Sequence, residues 1–78
     1  MIAAPIAAQD YDKGAAAYSA GDYVTALREW RPLAEQGYTK AQYKLGRMYD
    51  YGKGVSQDFK EAARWYKLAV NKGYANAH

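Results

Sequence analysis

Hydrophobic residues recur every three or four positions along most of this chain, which is the spacing of one face of an α-helix. Glycine and aspartate residues interrupt the pattern, so it predicts several helices rather than one long helix. We expect four helices, at about residues 10–20, 23–36, 40–51 and 58–72. The inner faces of the third and fourth helices carry Ala41, Leu45, Met48, Tyr49, Ala62, Trp65, Tyr66 and Ala69.

The residues between these segments are typical of helix ends. Asp22 is expected to cap the second helix, because its carboxylate can accept a backbone N–H of the first turn. Gly37 suits the left-handed conformation that often follows the last residue of a helix. Asp58 and Glu61 resemble a capping box, in which two side chains each accept a backbone N–H near the start of the helix.

Two residues inside the predicted helices need a separate explanation. Pro32 lacks a backbone N–H, which should kink or break the second helix near residues 28–32, and we expect a bend, because Leu33 and Ala34 continue the helical pattern. Gly46 costs about 1 kcal/mol relative to alanine in a helix interior. We expect that its missing side chain allows a neighbouring helix to approach closely.

The chain contains an internal repeat. The segment from Asp22 to Trp30 matches the segment from Asp58 to Tyr66, with Asp, an aromatic residue, Ala and Arg recurring at an offset of 36. Upstream, Tyr11-x-x-Gly14 matches Tyr43-x-x-Gly46 at an offset of 32. The loop between the two helices of the first unit is therefore four residues shorter than in the second. A short self-similar unit of this kind is typical of helical repeat proteins.

These observations predict an all-α fold, an α–α superhelix (solenoid) of two antiparallel helix hairpins. The first hairpin covers residues 10–37 and the second covers residues 38–73, while residues 74–78 look like the truncated start of a further repeat. Residues 1–9 are Ala-rich and are interpreted either as a disordered start or as the remnant of an export signal. A signal remnant implies a periplasmic or secreted protein, and the alternative implies a cytoplasmic one.

Charge and composition argue against several classes of function. The net charge of +3 is scattered without a dense basic stripe, so we expect no nucleic-acid partner. No apolar run approaches the ~18 residues that span a bilayer. The chain has no cysteine, and its one histidine is the last residue, His78. We therefore expect no metal site, no cofactor and no catalytic residue.

Aromatic residues are numerous, with nine Tyr, two Trp and one Phe. Aromatic residues at helical spacing usually pack between helices. We therefore expect Trp30, Tyr49, Phe59, Trp65 and Tyr66 in the core.

The third helix carries a candidate binding surface. Lys44, Arg47 and Tyr51 are three or four positions apart and so share one face, with Tyr43 nearby. In a hairpin solenoid the first helix of each unit lines the concave side. We interpret Tyr43, Lys44, Arg47 and Tyr51 as a surface for an acidic or extended peptide. The alternative is an ordinary solvated helix face.

Three segments together carry a family resemblance. The segments from Ala41 to Tyr49 and from Gly52 to Asp58, with the pattern Ala62, Trp65, Tyr66, Ala69 and Gly73, resemble the first helix, loop and second helix of Sel-one-like repeats. Val70 departs from the family pattern, where a second small residue is usual. Residues 10–37 look more like a plain tetratricopeptide hairpin. The resemblance implies a superhelical scaffold of the kind that adaptor modules use to hold proteins or peptides.

The sequence therefore predicts a protein–protein interaction scaffold that binds a protein or peptide on its concave face, and not an enzyme. The alternative is a self-assembling structural unit, a homodimer formed through uncapped repeat edges or by hairpin exchange. This alternative arises because two repeats are fewer than the roughly three that a stable stack needs.

Overall fold

The computed structural model describes residues 10–71, which form four α-helices joined by short loops. Each helix packs against its neighbour in the chain, α1 on α2, α2 on α3 and α3 on α4. The all-α fold is confirmed, and each helix end lies within one residue of its predicted position. Residues 1–9, interpreted as a disordered start or a signal remnant, and residues 72–78, which include the predicted start of a further repeat, lie outside the described residues. The helices are α1 Tyr11–Ser19, α2 Tyr23–Glu35, α3 Thr39–Tyr51 and α4 Phe59–Asn71.

The side chains and glycines at the helix ends act largely as predicted from the sequence. The carboxylate of Asp22 accepts the backbone N–H of Thr25 at 3.2 Å, and hydrogen bonds from the side chain and the backbone of Thr25 lower the pKa of Asp22. Gly37 follows the end of α2 with a φ of 98°, a left-handed conformation that glycine adopts without strain. Residues 20–22 join α1 to α2, and residues 52–58 join α3 to α4. The first loop is therefore the shorter, as the two repeat offsets require.

The start of α4 is capped, but only one of the two bonds of the predicted capping box forms. The Asp58 carboxylate accepts the backbone N–H groups of Lys60 and Glu61, both at 3.1 Å. The backbone N–H of Asp58 donates instead to the carbonyl of Tyr49 at 2.9 Å, which ties the loop to α3. The Glu61 carboxylate pairs with Arg64 at 2.7 Å. The return bond, from the Asp58 N–H to the Glu61 carboxylate, is therefore absent because both of these groups have other partners.

Helix α2 is continuous through Pro32, so the helix does not break there. A proline at this position leaves the carbonyl of Arg28, four residues earlier, without its helical donor. Pro32 and Arg28 are both exposed, so water can bond to that carbonyl. The second helix of the first unit therefore remains intact.

The core is one cluster built from α2, α3 and α4. Trp30 and Trp65 are buried in it, with 1% and 3% of their surface exposed, which confirms two of the predicted core aromatics. Tyr49 and Tyr66 are only partly buried. The remaining buried hydrophobic residues are Ala26, Leu33, Ala34, Ala41, Leu45, Met48, Ala62 and Ala69.

Phe59 is not in the core, so its predicted position is wrong. Its side chain is 65% exposed at the start of α4, and Val70 near the other end of that helix is 43% exposed. Their counterparts in α2, at the offset of 36, are Tyr23 and Ala34. Ala34 is buried, and Tyr23 is covered by the ring of Tyr18 and by the loop that follows α3. In the described part of the chain no later helix covers α4 in the same way.

Two glycines allow the helices of each hairpin to approach closely, as predicted for Gly46. A Cβ atom at Gly46 would lie 2.6 Å from Cδ1 of Tyr66 on α4. A Cβ atom at Gly14 would lie 2.7 Å from Cδ1 of Trp30 on α2. Gly14 and Trp30 correspond to Gly46 and Tyr66 in the repeat, so both hairpins use the same contact between a glycine and an aromatic ring.

The two ends of the stack differ in polarity. Helix α3 lies between α2 and α4, and its Leu45 and Met48 are fully buried. The equivalent residues of α1, at the offset of 32, are Lys13 and Ala16, and both are exposed. Lys13 pairs with Glu29 of α2 at 3.7 Å. Helix α1 therefore has a polar outer face, whereas α4 has an outer face with exposed Phe59 and Val70. A polar outer face is typical of the terminal unit of a repeat stack.

Candidate functional site

Three of the four predicted site residues form a row along α3. Tyr43, Arg47 and Tyr51 are each four positions apart, so they follow one another on the same helix face. The Arg47 guanidinium donates from Nη1 to the hydroxyl of Tyr43 at 3.1 Å. It also lies 5.8 Å from the centre of the Tyr43 ring and 5.1 Å from that of Tyr51. We call these three residues the α3 row.

Contacts with the two tyrosines hold Arg47 in place. The hydrogen bond to Tyr43 raises the pKa of Arg47, so the guanidinium stays charged. Planar guanidinium groups stack on aromatic faces and still present donors at their edges for a carboxylate. The row is accessible, since Tyr51 is 53% exposed. It can therefore offer a partner a positive charge flanked by aromatic surface.

Lys44 lies apart from the α3 row. Its ammonium group is 5.9 Å from the centre of the Trp30 ring, towards the first hairpin. Lys40, one turn earlier, lies 5.7 Å from the ring of Tyr11. These two lysines belong to the junction between the hairpins, where their charges remain available beside aromatic rings.

Tyr66 and Asp50 support the row and were not predicted as part of it. The Tyr66 ring lies 5.8 Å from that of Tyr43, and its hydroxyl donates to the Asp50 carboxylate at 3.3 Å. Burial, with the nearby Asp50 charge, raises the pKa of Tyr66. Tyr66 therefore stays neutral and supports Tyr43 from the side of α4. The internal repeat could have indicated this role, because Tyr66 lies at the position equivalent to that of the buried Trp30.

The described residues offer no site for a metal ion. Within residues 10–71 no group of three or more His, Asp or Glu side chains is placed to hold a metal ion. None of the helices described there is long and apolar enough to cross a membrane. His78 lies outside the described range. The arrangement on α3 is suited to recognition of another molecule by charge and aromatic contact.

The fold defines a class of protein, the helical-hairpin repeat proteins. Within that class, residues 39–74 match the Sel1 repeat, so this segment of the chain is a Sel1 repeat. The resemblance seen in the sequence is thereby confirmed. Repeats of this family generally serve as protein–protein interaction modules.

Curated relatives are much longer proteins that share the repeat. The chain is 42% identical over 55 residues to the human protein sel-1 homolog 2, covering 70% of this chain and 8% of that protein. It is 35% identical over 60 residues to an exopolysaccharide production negative regulator of Rhizobium meliloti, covering 77% of this chain and 22% of that protein.

A third relative is an uncharacterized protein of Neisseria meningitidis, 42% identical over 57 residues, which are 73% of this chain and 12% of the relative. The chain thus spans less than a quarter of the length of each of these relatives. No solved structure matches it significantly.

Proposed function

We propose that this chain is a protein-interaction module that binds an acidic or extended segment of a partner protein through the α3 row, and that it is neither an enzyme nor a nucleic-acid-binding protein. The observation that carries the proposal is the geometry of Arg47, a charged group clamped between Tyr43 and Tyr51 on an accessible helix face. The presence of a repeat from a family of interaction modules supports it. Tyrosine and arginine are also enriched in protein interfaces.

Selection from a displayed peptide library tests this proposal. We expect the protein to enrich peptides that contain Asp or Glu, because the accessible charge of the row is positive. Arg47→Glu should then weaken binding of the selected peptides about tenfold or more, which corresponds to about 1.4 kcal/mol. Binding would be measured by fluorescence anisotropy with labelled peptides.

Arg28→Glu is the matched control, because Arg28 is an exposed arginine on α2 that does not touch the row. It should change affinity less than about twofold, in line with the small effects of isolated surface charges. Circular dichroism should show that both variants are folded. Equal loss of binding in the two variants, or no enrichment of acidic peptides, would contradict the proposal.

The exposed face of α4 favours a second candidate function, self-assembly into a homodimer. Phe59 and Val70 are two of the four large exposed hydrophobic residues of the described chain, and both lie on this helix. They are eleven positions apart, about 16 Å along a helix axis. If two copies of α4 pair antiparallel, Phe59 of each copy lies opposite Val70 of the other. Ala63 then lies near the centre, where a small residue permits close contact.

Light scattering over a range of protein concentrations tests self-assembly. We expect a dimer that dissociates on dilution, and Phe59→Glu should weaken the association at least tenfold, because it places a charge in an apolar contact. Lys13→Glu on the polar face of α1 serves as the control and should leave the association unchanged. A monomer at every concentration would rule this candidate out.

A further inference from the structure

Two lysines beside the α3 row carry charges that have no role in the proposed function. Lys40 and Lys44, which we call the junction lysines, extend from α3 towards the first hairpin. Their ammonium groups lie 5.7 Å from the centre of the Tyr11 ring and 5.9 Å from that of the Trp30 ring. Aromatic faces attract cations at such distances, so the rings favour one position for each ammonium group. Lys40 is exposed and Lys44 is half-buried.

Neither junction lysine has an acidic partner among residues 10–71. The two ion pairs of this part of the chain lie between α1 and α2 and within α4. Asp50 is the one acidic residue of α3, and its carboxylate accepts the hydroxyl of Tyr66 on the side of α4. The positive charges of Lys40, Lys44 and Arg47 are therefore not neutralised by any described carboxylate.

The junction lysines lie beside Arg47 on one face of α3. An α-helix turns by about 100° per residue, which places Lys40 and Lys44 within about 60° of Arg47 around the helix axis. Along the axis, the midpoint of the two lysines is about 7.5 Å from Arg47, at about 1.5 Å per residue. The face thus has two positive positions. One is Arg47 with its two tyrosines, and the other is the pair of junction lysines.

The distance between the two positive positions matches the spacing of side chains along an extended polypeptide. Successive side chains of an extended segment point to opposite faces, so residues i and i+2 point to the same face. At about 3.3 Å per residue, these two side chains are about 6.6 Å apart. Adjacent residues, and residues three apart, point to opposite faces. Of these spacings, only the one with a single intervening residue brings two carboxylates to both positions.

We propose that the junction lysines form a second subsite beside the α3 row, and that the chain recognises an extended protein segment in which two acidic residues are separated by one other residue. One carboxylate meets Arg47, and the other meets Lys40 and Lys44. A protein segment suits the face better than a nucleic acid, because three cations do not make the dense basic stripe of a nucleic-acid site. This inference rests on the proposed function, since it requires Arg47 to bind an acidic group.

Three fluorescently labelled peptides of one composition test the spacing. Each contains two glutamates and four alanines, and the glutamates are adjacent, separated by one alanine, or separated by two. All three peptides carry the same net charge, so their long-range attraction to the protein is equal. We expect the peptide with one intervening alanine, the alternating peptide, to bind at least threefold more tightly than the other two. Fluorescence anisotropy would measure the three affinities.

A double variant tests the second subsite itself. Lys40→Gln combined with Lys44→Gln should weaken binding of the alternating peptide about fivefold, because its second carboxylate loses its partners. A peptide with a single glutamate should lose less than about twofold. Lys60→Gln combined with Lys67→Gln is the matched control, because it removes two exposed lysines of α4 and should leave both affinities unchanged. Glutamine is about as good a helix former as lysine, so circular dichroism should show both proteins folded.

The outcomes separate this inference from the proposed function. If Arg47→Glu weakens binding but the three spacings bind equally, the second subsite is overturned and the proposed function stands. The same holds if the lysine variant weakens the single-glutamate peptide as much as the alternating one. If no peptide binds, or if Arg47→Glu changes no affinity, the proposed function fails and this inference with it. Tighter binding of a labelled oligothymidylate than of the alternating peptide would assign the face to a nucleic acid and overturn the inference.

Discussion

Replacing Trp65 by alanine should lower the free energy of unfolding by about 3–5 kcal/mol, the usual result of deleting a large buried aromatic side chain. Trp65 is 97% buried in the core cluster, and the Arg64 guanidinium lies 4.6 Å from its ring centre. A domain of this size has a total stability of only about 4–12 kcal/mol. Urea denaturation followed by circular dichroism would measure the loss. Should Trp65→Ala not fold at all, Trp65→Phe provides a smaller, measurable decrease.

Phe59→Ala is the matched control on the same helix. Phe59 is largely exposed, so its removal should change the free energy of unfolding by less than about 0.5 kcal/mol. The comparison must be made at low protein concentration, so that self-association does not contribute. Similar losses in the two variants would show that the outer face of α4 is covered in solution and would contradict the exposure described for Phe59.

Gly46→Ala should destabilise the protein by about 1–3 kcal/mol, although alanine is the better helix former. Helix propensity alone would stabilise the variant by about 1 kcal/mol. The new Cβ atom would lie 2.6 Å from two carbons of the Tyr66 ring, which is closer than carbon atoms pack. The contact is with the ring itself rather than with the end of a flexible chain, so α3 and α4 must separate. Overpacking of this kind destabilises the protein by more than the better helix propensity of alanine stabilises it.

A double-mutant cycle isolates this contact. In a Tyr66→Ala background the space beside Gly46 is open, so Gly46→Ala should there stabilise the protein by up to about 1 kcal/mol. The reversal of sign is the expected result, measured by urea denaturation of the four proteins. If Gly46→Ala destabilises equally in both backgrounds, the cause is not the Tyr66 ring.

The helices and the repeat could be predicted because they depend on local sequence. Hydrophobic spacing, glycines and capping aspartates are all short-range signals, and each described helix end lies within one residue of its predicted position. Phe59 was placed in the core wrongly because periodicity shows which face of a helix is apolar, but not whether a neighbour covers it. The return bond of the capping box is absent for a related reason, since the Tyr49 carbonyl and Arg64 are partners outside the local pattern.

The candidate site was predicted in part. The spacing of four residues places Arg47 between Tyr43 and Tyr51, and the structure shows these contacts. Lys44 follows Tyr43 directly, and one residue turns an α-helix by about 100°, so its side chain extends towards Trp30 instead.

The polarity of the two ends also limits how copies of this chain can associate. A helical filament requires two different binding surfaces on each copy, one complementary to the other. Helix α1 has Lys13 and Ala16 where α3 has the buried Leu45 and Met48, so it offers α4 no apolar counterpart. If two copies pair through α4 as proposed, the contact uses the apolar face of both copies, and the assembly closes after two copies. A charged residue at position 13 would then disfavour the growth of fibres.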